Sequence, residues 1–168
     1  IADFRSYPNS NAGTIDSGQS LELNIEAYQD FGTARGVLEL VARIDDQDTG
    51  RRILDARQAY VSTELGGFEV YVGNRQEFWG KAESTNIVDV VNQKDAAADQ
   101  GGAGKLGAPS VSIERYGDYG DLQFWYMPNF RQLTFNDTYA HPSGELPIKA
   151  ARYQREQGKN ADDFAFRF

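Results

Sequence analysis

Residues 19–28 read Gln-Ser-Leu-Glu-Leu-Asn-Ile-Glu-Ala-Tyr, and in this run Leu21, Leu23, Ile25 and Ala27 alternate with Glu22, Asn24, Glu26 and Tyr28. A period of two puts the apolar set on one face of a β-strand and the polar set on the other. The pattern resumes over 36–45, with Leu38, Leu40, Ala42 and Ile44 opposite Val37, Glu39, Val41 and Arg43. Further strands are expected at about 52–64, 68–75, 110–116, 121–127 and 162–168, where Phe164, Phe166 and Phe168 alternate with Ala165 and Arg167. Seven strands and no long amphipathic helix make an all-β chain.

The connections divide into two kinds. If consecutive strands are antiparallel, the short ones at 29–35, 65–67 and 117–120 fall at one end of the sheet. The long ones at 45–51, 76–109 and 128–160 fall at the other. Transmembrane β-barrels have this asymmetry, with tight turns on one side and long loops on the other, whereas sandwiches have no general reason to sort their loops. The expected fold is an antiparallel up-and-down transmembrane β-barrel, residues 1–168 forming one domain and an incomplete portion of a larger barrel. A complete eight-stranded barrel is the competing version. With the long loops outside, the first of the seven strands starts outside, so an upstream strand rising from the periplasmic side is expected to be missing from the chain. The 76–109 connection is read as one long, partly helical inserted loop, with helical turns at 85–92 and a small, Gly-rich, mobile run at 96–107.

Composition removes several functions. Lys and Arg number 17 against 25 Asp and Glu, a net charge of −8, so the surplus of cations that non-specific nucleic-acid binding needs is missing. There is no cysteine and only one histidine, His141. That excludes disulfides, thiolate nucleophiles, iron–sulfur clusters and His-rich metal sites. No stretch approaches the roughly 18 apolar residues of a spanning helix, a test that barrel strands escape because they average out as polar.

Two local motifs have ordinary readings. Gly102-Ala103-Gly104-Lys105-Leu106-Gly107 matches G-x-G-x-x-G but neither follows a strand nor opens a helix, so it is read as a loop. Asp46, Asp48 and Gly50 have part of the spacing of a calcium loop but lack a closing glutamate, so they are read as a solvated turn. No pair of carboxylates stands out by position. The expectation is a protein that is not an enzyme and uses no cofactor.

The densest segment is Val72-Gly73-Asn74-Arg75-Gln76-Glu77-Phe78-Trp79-Gly80-Lys81-Ala82-Glu83-Ser84, continuing to Asn92-Gln93-Lys94-Asp95. Arg75, Glu77, Lys81 and Glu83 bring both charge signs together, Phe78 and Trp79 add aromatic bulk, and Gly80 permits a sharp turn. Such a segment can fold inward from a strand end and be pinned by ion pairs. In a barrel Arg75, Glu77, Trp79, Lys81 and Glu83 would then form a pore constriction. Equally, Phe78 and Trp79 can be interfacial girdle aromatics with the charges solvated.

A strand ending in Gly-x-x-Arg-Gln, then Trp-Gly-x-x-Glu-Ser, a short apolar run and Asn-x-x-Asp resembles a group of poorly characterised, porin-like bacterial outer-membrane β-barrel proteins. Lys105-Leu106-Gly107-Ala108-Pro109 and Tyr126-Met127-Pro128-Asn129-Phe130-Arg131 are similar to that group too, so the resemblance runs from Leu21 to Arg131. Asn74 departs from the group's usual uninterrupted Gly-Arg-Gln. The resemblance implies location in the bacterial outer membrane, contact with its lipid, and passive passage of small polar or amphipathic solutes. The other reading of the residues is a soluble β-sandwich carbohydrate-binding module, with Trp79, Trp125 and loop tyrosines as the sugar-binding face.

Overall fold

The computed structural model describes residues 2–6, 17–79, 91–97, 104–135, 152 and 158–168. Eight strands form one antiparallel sheet in sequence order: β1 (Ala2–Ser6), β2 (Ser17–Phe31), β3 (Ala34–Asp45), β4 (Ile53–Leu65), β5 (Phe68–Arg75), β6 (Ala108–Arg115), β7 (Leu122–Met127) and β8 (Asp163–Arg167). Each strand pairs with its sequence neighbours, and β1 and β8 are the two edges of an open sheet. No α-helix occurs among the described residues, and the two short helices, Thr49–Arg51 and Gly158–Asn160, are of the 3-10 type.

The seven expected strands are present within a few residues, but the upstream strand expected to be missing is in the chain: Ala2–Ser6 forms β1 and pairs with β2. Its link to β2 falls at the long-connection end, so the sorting of connections holds for the whole sheet. The turns Gly32-Thr33 and Gly66-Gly67 are tight two-residue links, made possible by positive φ at Gly32, Gly66 and Gly67. The β5–β6 connection spans 76–107 rather than 76–109, because β6 begins at Ala108. The expected helical turns at 85–92 lie almost wholly outside the described residues.

Register fixes the faces. Leu21, Leu23, Ile25 and Ala27 pair with Ile44, Ala42, Leu40 and Leu38, which continue to Leu54, Ala56 and Ala59 on β4. Val72 and Val70 on β5 pair with Val111 and Ile113, and these reach Tyr126 and Phe124, then Phe164 and Phe166. This face, called outer below, is apolar across β2–β8 and bare. Leu54 is 85% exposed, Ile44 and Phe164 are each 65%, and Phe166 is 66%. The opposite, inner face is the covered one.

Burial is therefore inverted. Among the described residues the buried polar and charged set includes Arg43, Asp45, Ser112, Glu114 and Gln123 on strands of the inner face, with Asn92, Asp95 and Lys105 from the β5–β6 connection. Among the described residues the buried apolar side chains are few and sit on the same side: Val37, Val41, Ala108, Trp125 and Met127 from the sheet, with Trp79, Val91, Ala97 and Leu106 from the connection. The small core of Trp79, Val91, Ala108, Trp125 and Met127 forms where that connection meets β6 and β7. Large apolar side chains normally leave water first and charges last, and this sheet shows the opposite preference.

Two readings of the turn segments are corrected. The Asp46–Gly50 region is not simply a solvated turn. Asp48 is buried and caps the Thr49–Arg51 helix by accepting from the Gly50 N–H at 2.9 Å, while Asp45 is buried against Arg51. The ends of the 96–107 run are likewise packed, with Ala97, Lys105 and Leu106 all buried.

Candidate functional site

The site is the inner face together with the described parts of the β5–β6 connection that lie on it. Arg75, the last residue of β5, faces inward because Tyr71 and Gly73 share its side of the strand. Its guanidinium donates to Glu114 Oε1, to Ser112 Oγ at 2.9 Å and to Glu77 Oε2 at 2.8 Å. It also lies over the Tyr71 ring, 3.7 Å from the centroid, and 4.8 Å from that of Trp125. Planar stacking and a forked donor set are properties of arginine that lysine lacks. Glu114 is fully buried, and receives further hydrogen bonds from Tyr116 Oη at 2.6 Å and Ser112 Oγ at 3.3 Å.

The connection leaves β5 along this network. The Glu77 N–H donates to Asn92 Oδ1 at 2.6 Å, and Asn92 Nδ2 returns to the Arg75 carbonyl at 2.9 Å, so one buried amide ties both arms of the connection to the strand end. Lys105 Nζ donates to the Glu77 carbonyl and stands 4.4 Å from the Phe78 ring centroid, while Gln76 Nε2 donates to the Lys105 carbonyl at 2.6 Å. Burial pushes the Glu77 carboxyl above its ordinary value, outweighing the lowering effect of Arg75. Burial and the Glu114 partner raise the Tyr116 hydroxyl to about 12.

A second cluster lies toward β2–β4. Arg43 Nε meets Glu22 Oε2 at 2.6 Å, Arg51 Nε meets Asp45 Oδ2 at 3.2 Å, and Arg131 Nη2 meets Asp55 Oδ2 at 2.7 Å. Arg57 sits at the β3–β4 irregularity, where Glu39 pairs with Gln58 and Leu40 with Ala56, so that Arg57 is the extra residue and points inward. Its Nη2 reaches Asp95 Oδ2 at 3.4 Å, and Arg43 Nη2 reaches the same oxygen at 3.8 Å. Asp95 Oδ1 accepts from Thr134 Oγ1 at 2.5 Å. Arg51 Nη1 holds the Ala97 carbonyl at 2.7 Å, and Arg131 Nη1 holds the Gly107 carbonyl at 2.7 Å. Gly107 lies so close to β4 that a Cβ there would overlap the Arg57 carbonyl oxygen.

Of the five expected constriction residues, Arg75, Glu77 and Trp79 come together on the inner face, Trp79 being buried in the core there. Lys81 and Glu83 lie outside the described residues. The partners not assigned to the site from sequence are Ser112 and Glu114, which stand 37 and 39 positions from Arg75, and Asp95, 38 from Arg57. Only the inward parity of β6 and the Asn-x-x-Asp spacing hinted at them. Trp79 and Trp125 are both buried, so they do not make the exposed platform that a sugar-binding face requires. Among the described residues no group of His, Asp and Glu could hold a metal ion. No family model, curated protein or solved structure matches the chain.

Proposed function

We propose that the chain is a portion of a transmembrane β-barrel of the bacterial outer membrane, through which small polar or amphipathic solutes pass passively, and that the β5–β6 connection narrows the passage. The observation behind this reading is the inverted burial. The outer face is apolar and uncovered across β2–β8, while the inner face is charged, hydrogen-bonded and covered by the chain's own connection. Lipid outside and a wet interior ask for that arrangement, with the two kinds of residue alternating along every strand.

The width of the parent barrel follows from what lies on the inner face. An eight-stranded barrel has an interior that side chains alone fill. Here backbone lies there as well, at 76–79, 91–97 and 104–107, tied to β3, β4 and β5 by Arg43, Arg57 and Arg75. A barrel of more than eight strands accommodates it. The inner face mixes Glu22, Glu26, Glu39, Glu69 and Glu114 with Arg43, Arg57, Arg75 and Arg167, so no ring of one sign dominates and charge selectivity is weak.

Planar-bilayer recording tests the reading. Deleting Phe78 to Asn92 from the outer-membrane protein should raise single-channel conductance. Unchanged conductance would place the segment outside the passage and end the constriction role of Arg75, Glu77 and Trp79.

A further inference from the structure

Not all of the inner face lies under the connection. Toward the end of the short turns an open cavity of about 390 Å³ stands over β2–β5, lined by strand and turn residues and by none from the described parts of the connection. Register builds it. Asp30, Arg35, Ser62 and Tyr71 are successive cross-strand partners from β2 to β5, all facing inward. Tyr60, also inward, lies one row toward the long-connection end. Its partner Gly73 carries no side chain, and a Cβ there would come within 3.0 Å of the Tyr60 Cβ.

Two half-buried tyrosines give the cavity an aromatic wall. The rings of Tyr60 and Tyr71 meet edge to face with centroids 5.9 Å apart. Tyr71 is held from two sides, its hydroxyl donating to Glu69 and its ring lying 3.7 Å from the Arg75 guanidinium that Glu77, Ser112 and Glu114 fix. The hydroxyls of Tyr60 and Ser62 make no hydrogen bond among the described residues, so both are available to a ligand. The charged groups of the lining are Asp30, Arg35, Glu64 and Glu69, all exposed, with Asp30 and Arg35 paired at 3.1 Å. Charges in contact with water add little net attraction. Among the described lining residues the one purely aliphatic side chain is Ala34.

We propose that this cavity binds a neutral sugar, one pyranose ring lying against Tyr60 and Tyr71 with its hydroxyls hydrogen-bonded to Tyr60, Ser62 and Glu69. The site rests on the passage reading: it holds a polar solute on the short-turn side of the narrowing. A sugar ring has an apolar C–H face and a rim of hydroxyls, and the cavity offers the match to each, rigid amphipathic tyrosine surface with polar groups around it. A fatty solute meets no aliphatic lining, and an anionic one meets no surplus of cations.

Saturation-transfer NMR titration of the full protein folded in detergent, with maltose, choline and succinate as probes, reads the site. Maltose should bind more tightly than choline or succinate. Tyr60→Leu should weaken maltose binding about tenfold, and Tyr60→Phe, which keeps the ring, by no more than about threefold. Ser62→Phe fills the cavity and should abolish maltose binding; if Tyr60→Leu does not fold, this variant decides alone. No maltose binding, tighter binding of choline or succinate, or maltose binding unchanged in Tyr60→Leu or Ser62→Phe would overturn the site. Bilayer recording on the unaltered protein judges the other reading: maltose binding as expected with no channel would remove the passage and leave the sugar site standing, and a channel that binds no maltose would do the reverse.

Discussion

Arg75→Leu perturbs the most heavily bonded group of the inner face. Three hydrogen-bonded partners, Glu77, Ser112 and Glu114, lose their donor, and the rings of Tyr71 and Trp125 lose a stacked cation. Removing one member of a buried pair costs about 3–5 kcal/mol, because the charge left behind has neither water nor counter-charge. Glu114 is the charge in question, with its side chain 0% exposed. It keeps the hydroxyl of Tyr116 at 2.6 Å, Ser112 at 3.3 Å and a weak contact from Gln123 at 3.4 Å, and these offset part of the loss. The expected cost is therefore at the lower end, about 3 kcal/mol. Replacing both residues, Arg75→Leu with Glu114→Leu, removes the stranded charge, so the double variant should be more stable than the sum of the two single losses by at least about 1 kcal/mol. Urea unfolding in lipid vesicles, followed by the fluorescence of Trp79 and Trp125, measures all three variants. A single-variant cost below about 1 kcal/mol, the scale of an exposed pair, or costs that simply add, would refute the buried network.

Three further outcomes are expected. Leu40→Arg on the outer face should cost about 2–4 kcal/mol of unfolding free energy in lipid vesicles if that position lies near the bilayer midplane, and Glu39→Arg on the inner face little; equal tolerance would sink the assignment of faces. Gly107→Ala should destabilise by about 1–3 kcal/mol in the same assay, since the added Cβ would overlap the backbone carbonyl oxygen of Arg57, and a neutral result would mean that the connection does not lie against β4. The Gln19 N–H, 2.7 Å from Asp46 Oδ1, holds that carboxyl below its ordinary value of 3.8. Its contribution to stability is thus full above that value and is lost as pH falls through the lower folded one. An NMR titration that finds Asp46 at or above 3.8 would contradict the bond.

The division of faces was legible because side chains in a strand alternate strictly, and β2 and β3 each carry four apolar residues in phase. The sorting of connections was legible for the same reason, since it needs only antiparallel order. β1 escaped because five residues, Ala2–Ser6, are too few to establish a period against their surroundings. The irregularity that turns Arg57 inward beside Gln58 leaves no local mark, because an extra residue in β4 is visible only against its partner β3. Arg75, Glu77 and Trp79 stood out as a cluster of charge and aromatic bulk in consecutive sequence. Their partnership with Glu114, and that of Arg57 with Asp95, depends on how strands and connection are brought together. Nothing within ten residues of either arginine encodes it. Asp48 was misread for a related reason: Asp and Gly are turn formers wherever they occur, and burial came from the Thr49–Arg51 helix folding back on Asp45 and the Ala97 carbonyl.

What meets the outer face decides whether the sheet belongs to a barrel. The chain has no cysteine of its own, so single cysteines can be placed in turn from Gln19 to Asp30 of β2 and spin-labelled in lipid vesicles. Electron paramagnetic resonance then compares each label's collision rate with oxygen, which concentrates in lipid, and with a water-soluble nickel chelate. Oxygen accessibility should peak with a period of two at positions 21, 23, 25 and 27, with nickel accessibility peaking at 22, 24 and 26. Nickel accessibility throughout, with no oxygen maximum on the Leu21, Leu23 and Ile25 side, would mean that this face meets water or protein and would contradict the barrel.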